Sequence, residues 1–221
     1  MTNIKPTPWD SAAFGMDCFE ITQYDLETLS LAATTTGHYT IKIDPLADKT
    51  LLHQYGFHYT DTLIEPVCLR EKWLAKSDPL ATIDHHITLE QLLPMCDQSF
   101  LHGRFHRDFN IMPEQADARY KQWLKQMHQA GQVFGLCYSK QLVGFIAASQ
   151  GNLLLHTIAK PYRGKGLAKP LWTAAISEIF SQGYDQIRSS ISASNMAVLN
   201  LYVSLGFRFE HPVDIYHRLS H

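Results

Sequence analysis

Between Gln132 and Gln182 the chain sets out an order that few folds can use: three successive strands, a basic glycine loop and a long amphipathic helix. QVFGLCYS, LVGFIAAS and NLLLHTIA read as strands, the first two joined as a hairpin through the turn SKQ. KPYRGKG then reads as a loop and LAKPLWTAAISEIFSQG as a helix. The strand YDQIRSSIS, the helix NMAVLNLYVSLG and two short closing strands, FRFEH and DIYHRL, complete a β-β-β-α-β-α-β-β order. Upstream, ITLEQLLPMC reads as a helix after a β entry. PEQADARYKQWLKQMHQAG is a stronger helix, with Pro113 in its first turn and Tyr120, Trp123, Leu124 and Met127 on one face, a stripe suited to core or to a cleft wall.

The first third has shorter elements: strand CFEITQY, helix LETLSLAA, strand HYTIKI, helix LADKTLLHQY, and FHYTDTLIEPVCLR as a bent or paired strand broken at Pro66. The stretch from Glu71 to Pro79 loses periodicity and gathers charge, which predicts a linker and a division into residues 1–76 and 77–221. A chain of 221 residues with 45% hydrophobic and 18% charged positions can bury a core, so the expectation is a globular α+β protein of one large or two small domains. Shifting the sequence by 150 positions aligns Leu51, Gly56 and Phe57 with Leu201, Gly206 and Phe207, and Ile41 with Ile191. In both places a strand precedes a helix that ends in Gly-Phe and a further strand. The first copy has Leu52 where the second has Tyr202, and it lacks a glycine loop upstream.

A net charge of −2 carries no footprint for nucleic acid or an anionic membrane. Cys18, Cys68, Cys96 and Cys137 lie too far apart for a zinc knuckle and read as reduced and buried. The start MTNIKPTPWD has no apolar run behind a basic segment, and no window is apolar enough to span a bilayer, so the expected compartment is the cytoplasm.

The segment RGKGLA, Arg163 to Ala168, carries the chemistry. Its two glycines let backbone approach a bulky ligand, and the free N–H groups of the following helix turn form an anion site suited to a diphosphate. Lys160, Arg163, Lys165 and Lys169 concentrate positive charge there. A Walker loop fails, because one residue separates the glycines and Leu167 follows. A dinucleotide fingerprint fails as well, with Lys169 where a third glycine belongs and little parallel sheet after it.

In these residues the chain resembles the GNAT acetyltransferases, which use acetyl-CoA. Arg163, Gly166 and Ala168 fill the family's Arg/Gln-x-x-Gly-x-Gly/Ala motif. Asn195, Ala197, Leu201, Tyr202, Gly206 and Phe207 fill its second signature. One departure is that Pro161 lies two positions before Arg163, where the family usually has a Val-x-Pro-x-x-Arg spacing. A narrower likeness, in TPWDSAAFGM and RFHRDFNIMPEQADARYKQWL, is to the dTDP-fucosamine acetyltransferases, which acetylate a 4-amino-4,6-dideoxy sugar on a dTDP carrier.

The resemblance implies a mixed, mostly antiparallel sheet flanked by helices, with a smaller N-terminal α/β domain as a partial copy. It implies acetyl-CoA as co-substrate and a small-molecule amine as acceptor, in a monomer or homodimer without nucleic-acid or membrane partners. Donors around Ile158 would hold the oxyanion, and Ile158, Ala159, Lys160, Arg163, Gly164, Lys165, Gly166, Leu167, Ala168, Asn195 and Tyr202 would contact the co-substrate. Tyr202 takes the family's position for the acid that protonates the leaving thiolate, whereas Asn195 serves equally as a plain helix N-cap.

His156, Glu210, Asp214 or a water relay are the candidates for a base, although a histidine in an apolar strand is more often packed core. Arg104, Phe105 and Tyr120 would shape the acceptor pocket by the same resemblance. His102 and His106 have i, i+4 spacing and His85 and His86 are adjacent, yet no H-E-x-x-H frame exists, so no metal is expected. Two other functions share these features: acetylation of a peptide N-terminus or lysine, and acyl-CoA binding without turnover.

Overall fold

The computed structural model describes residues 3–221; Met1 and Thr2, where the reading for a leader segment begins, lie outside the described residues. The first part contains β1 (Ile4–Pro6), α1 (Pro8–Phe14), β2 (Cys18–Ile21), α2 (Leu26–Thr34), β3 (Gly37–Ile43), α3 (Thr50–Gln54) and β4 (His58–Leu69). After a stretch that includes a 3-10 turn come β5 (Ala81–Asp84), α4 (Leu89–Leu92), α5 (Pro113–Gln129), β6 (Val133–Tyr138), β7 (Gln141–Ser149) and β8 (Asn152–Ile158). Then follow α6 (Ala168–Ser181), β9 (Gln186–Ser189), β10 (Ile191–Ser192), α7 (Met196–Ser204) and β11 (Arg208–Ser220).

The strands form one sheet in the order β1-β2-β3-β11-β4-β9-β8-β7-β6-β5, with β10 also paired to β4. The expected break at residue 76 thus falls between two halves of a continuous sheet. The C-terminal strand β11 inserts between β3 and β4 of the first part, and β4 in turn pairs with β9 of the second. Both halves contain a parallel strand pair, β2 with β3 and β8 with β9. In both halves the helix after that pair closes on a left-handed glycine, Gly56 at φ +71° and Gly206 at φ +89°. Phe57 N–H then donates to Leu52 O, and Phe207 N–H to Tyr202 O. The echo seen in the sequence is therefore an echo of backbone geometry.

Two strand expectations need correction. β4 is not broken at Pro66, because β9 pairs only with Val67–Leu69 and β10 only with Leu63 and Ile64, so no ladder on that side needs a donor there. FRFEH and DIYHRL are one strand, β11, whose register shifts between Glu210 and Val213 with His211 at φ +48°.

The linker is fastened to the second half at Gly206. Leu74 N–H donates to Leu205 O, and a Cβ on Gly206 would lie 2.2 Å from Lys72 O. Gly206→Ala combines that clash with a positive φ and is expected to cost roughly 1–3 kcal/mol, read as a lower midpoint in urea at unchanged m-value.

Apolar burial divides over the faces. Leu171, Trp172, Ala175, Ile176 and Ile179 of α6 pack with Leu136, Ile146, Leu153 and Tyr202 on one side of the second half. Leu124 and Met127 of α5, with Tyr120 and Trp123 beside them, cover Phe145, Ala147 and Leu155 on the other, as their shared stripe predicts. All four cysteines are buried and free. No helix among the described residues is long and apolar enough to cross a membrane.

Candidate active site

The site begins with a register fault. In the β7–β8 ladder Ala147 faces Leu155 but Ala148 faces Leu153, so Leu154 is an extra residue and the alternation of β8 reverses across it. Leu153 therefore packs against α6 while Leu155 packs against α5, and from there His156 and Ile158 turn toward α6 and α7. On its other edge β8 pairs with β9 only at Asn152 and Leu153. Beyond Leu153 the parallel strands part, leaving the end of β8 with an edge that β9 does not cover. Ala159 N–H donates to Val143 O on the β7 side, so the N–H of Ile158, one residue earlier, points into the opening.

The chain leaves that edge through a 3-10 turn at Lys160–Tyr162 and enters the glycine loop. Gly164 and Gly166 have φ of +72° and +75°, and nothing lies within 4 Å of the place a Cβ would take on either. Among the described residues, no backbone or side-chain acceptor receives the N–H groups from Gly164 to Lys169. They stand free at the positive end of the α6 dipole, which is the arrangement a diphosphate needs. This donor run, on an exposed loop with no side chain over the glycines, fits coenzyme A.

The basic residues there divide. Arg163 turns back, its Nε donating to Ile158 O at 2.7 Å and its Nη2 to both Ser99 Oγ and Thr157 Oγ1, so it braces the strand end. Lys165 lies over the Tyr162 ring, while Lys160 and Lys169 have no ion-pair partner among the described residues. Asn195 caps α7, its side chain accepting from Val198 N–H at 3.3 Å.

Tyr202 lies on α7 against His156 of β8 and is fully buried. Its hydroxyl lies 3.0 Å from His156 Nε2, and both rings belong to a cluster with Trp172. Burial pushes the phenol up to about 12 and holds the imidazole down at about 4, so both are neutral at pH 7. A phenol held at about 12 would give up its proton to a thiolate near 8.5 only uphill, by about 5 kcal/mol.

The strand β4 supplies a group with no sequence motif. Asp61 is fully buried; its Oδ1 accepts from Arg107 and from Ser192 Oγ, each at 2.7 Å, while Oδ2 is buried without a partner. Desolvation raises its pKa, which suits a carboxylate that takes up a proton. A chain of hydroxyls continues from Ser192 to Ser194 and His102 Nδ1. Arg104 lies over the Phe105 ring at 4.7 Å with Nε buried and unbonded, and no carboxylate pairs with it among the described residues. Of the bases expected from sequence, Asp214 is tied to Thr62 and Lys49 and Glu210 is exposed on β11.

The histidines with suggestive spacing separate, His102 going to Ser194 and His106 to Asp117. Three distant ones meet instead at Asp108, whose Oδ2 accepts from His38 Nε2 and His217 Nδ1 at 2.8 Å each. His38, Asp108 and His217 together have metal-ligand chemistry. Asp108 Oδ1 also accepts from Asn110 N and Nδ2, so every contact of the carboxylate is a donated hydrogen bond, and His38, His58 and His217 of β3, β4 and β11 anchor the loop that carries Arg104 and Arg107.

Residues 108–217 match the family model described as acetyltransferase (GNAT) domain. An N-alpha-acetyltransferase MAK3 of Arabidopsis thaliana is 36% identical over 58 residues, which are 26% of this chain and 30% of that protein. Mycothiol acetyltransferase of Renibacterium salmoninarum is 28% identical over 144 residues, 58% of this chain and 43% of that enzyme. The chain thus spans less than half the length of either curated relative. A GNAT-family acetyltransferase from Colwellia psychrerythraea superposes with a TM-score of 0.55 at 16% identity, over 91% of this chain and 80% of that one.

Proposed function

Since this chain is a GNAT-fold protein whose residues 108–217 are an acetyltransferase domain of that family, we propose that it transfers acetyl from acetyl-CoA to the primary amine of a small molecule. The observation that carries this reading is the continuity of the opening between β8 and β9 with the free N–H run from Gly164 to Lys169. The diphosphate rests on the loop, the pantetheine arm extends along the uncovered edge of β8, and the Ile158 N–H faces the thioester oxygen.

The amine attacks through a ternary complex. Asp61 Oδ2 takes the proton that the amine loses, the C–S bond breaks as the C–N bond forms, and Tyr202 shares its proton with the departing sulfur. Lys160 and Lys169 add charge near the diphosphate, while Arg163 acts by holding Ile158 O and the strand end in place.

For the acceptor, the reading is a nucleotide-linked amino sugar. Asp61 offers a buried carboxylate to an ammonium, and Arg104 offers an unpaired guanidinium to an anion such as a sugar-nucleotide diphosphate. Thiol release from acetyl-CoA, measured across dTDP-amino sugars, simple amines and peptides, tests this. The highest kcat/KM is expected with an amine that carries a diphosphate. A preference for peptides would replace the amino-sugar reading, and tight acetyl-CoA binding with no turnover on any amine would replace the enzyme by a binding protein.

A further inference from the structure

A fully buried carboxylate that gains a proton needs a way to lose it again. Two side chains donate to Asp61 Oδ1, the Arg107 guanidinium and the Ser192 hydroxyl, each at 2.7 Å. A guanidinium has no lone pair with which to take a proton up, whereas a hydroxyl both donates and accepts. Ser192 is therefore the one side-chain partner of Asp61 among the described residues that can carry its proton away.

From Ser192 the contacts run outward in two steps. Ser194 Oγ lies 2.9 Å from Ser192 Oγ, and His102 Nδ1 lies 3.2 Å from Ser194 Oγ. Ser192 is buried while Ser194 and His102 are exposed, so the run begins in the interior and ends in solvent. The backbone fixes the serines. Ile191 and Ser192 pair with Ile64 and Leu63 of β4, and Ala193 N–H donates to Thr62 O at 2.8 Å. The turn closes as Ser194 N–H donates to Ser192 Oγ and Asn195 N–H to Ser192 O. His102 arrives from 92 positions away, on the loop that also carries Arg107.

We infer that Ser192, Ser194 and His102 form a relay that moves the amine's proton from Asp61 to solvent while acetyl-CoA and the acceptor fill the opening. They act through Asp61 and not on the substrate, and the inference rests on the acetyl-transfer reading. One proton enters and one leaves. Asp61 Oδ2 takes the proton that the amine loses, and the acid turns its O–H to Ser192 Oγ. Ser192 passes its own proton to Ser194 Oγ, and Ser194 passes its own to His102 Nδ1. The imidazolium then gives its Nε2 proton to water or buffer, and the hydroxyls turn back to donate toward the carboxylate. Imidazole suits the outermost place because it gains and loses protons near neutral pH. Burial raises the Asp61 pKa, so without an exit the carboxyl group would keep the proton.

The test measures N-acetyl product from wild type, His102→Ala and Ser192→Ala, in dilute buffer and with rising imidazole. His102 is exposed and Ser192→Ala removes a single hydroxyl, so neither change takes away apolar packing. His102→Ala is expected to lower kcat about 10-fold, less than the loss of a positioned base, because water reaches the exposed Ser194. KM for acetyl-CoA stays as it was, and imidazole raises kcat back toward wild type. Ser192→Ala is expected to lose about 100-fold and to gain nothing from imidazole, because its break lies inside the protein. A merely structural His102 would give a loss that imidazole leaves in place. That result overturns the relay, as does wild-type kcat in His102→Ala or equal rescue of both variants. Wild-type protein that binds acetyl-CoA but forms no N-acetyl product on any amine removes the acetyl-transfer reading and the relay together. Normal wild-type turnover, matched by His102→Ala at every imidazole concentration, removes the relay alone.

Discussion

Tyr202→Phe lowers kcat by about 100-fold or more while acetyl-CoA binds as before. Phenylalanine keeps the ring that packs at 4.6 Å against Phe207 and removes only the hydroxyl facing His156, so the fold has little reason to change. The effect is large because no other proton donor lies at that place. His156 is held neutral, Ser189 is committed to Leu153, and an indole does not surrender its proton. The loss should be smaller for an aryl thioester donor, whose thiolate leaves without protonation. Turnover unchanged by the substitution would remove the acid role.

Asp108→Asn is the substitution expected to cost most in stability, about 3–5 kcal/mol and roughly 10 °C in Tm. The carboxylate is fully buried and receives ring N–H groups from three strands, and hydrogen bonding to those histidines holds its pKa far below the usual carboxylate range. An amide nitrogen in place of one oxygen would set donor against donor.

The pH dependence separates the contributions. His217 and His156 are held down at about 3 and about 4 by burial, so below about pH 6.5 the unfolded chain binds protons that the folded one refuses. Wild type should therefore lose stability as pH falls from about 6.5 toward 4. Asp108 adds its loss only below the unfolded carboxylate value near 3.8, because its folded pKa lies lower still. The gap between wild type and Asp108→Asn should accordingly narrow below about pH 4. Urea midpoints at a series of pH values measure this, and a variant within about 1 kcal/mol of wild type at pH 7 would deny Asp108 its role as anchor.

The parts legible in the sequence are those specified locally. Two glycines and a helix start fix the loop, and the Asn195–Phe207 signature places Tyr202 because a helix cap, a helix and a left-handed glycine are all short-range features. What escaped was long-range pairing. The strand β11 reads as two pieces because His211 and Pro212 interrupt its alternation, yet pairing with β3 and β4 carries it through. The break foreseen at Pro66 vanished because β9 and β10 leave a gap opposite it, and no local pattern records a neighbouring strand's length.

Asp61 and Asp108 were missed for a related reason. Neither acid belongs to a spacing pattern that marks it, not even Asp108 within the RFHRDFN stretch, and their significance lies in burial and in partners 46 to 131 positions away. The signal that was present, twelve histidines in 221 residues, pointed toward adjacent or helix-spaced pairs. The histidines that do meet come from three strands of one sheet, where spacing along the chain says nothing about contact.

The claim beneath all of this is that the backbone of the Gly164–Gly166 loop holds the diphosphate, and calorimetry of acetyl-CoA binding to Gly166→Val beside Gly131→Val tests it most directly. Gly131 is a matched control, at φ +68° with the same open surroundings, but it lies between α5 and β6 away from the loop. Both variants carry similar backbone strain, about 1–3 kcal/mol. The account predicts that Gly131→Val binds acetyl-CoA as wild type does, whereas Gly166→Val loses more than about 10-fold in affinity, at least one charge-assisted hydrogen bond's worth. Equal affinity in the two variants would contradict it.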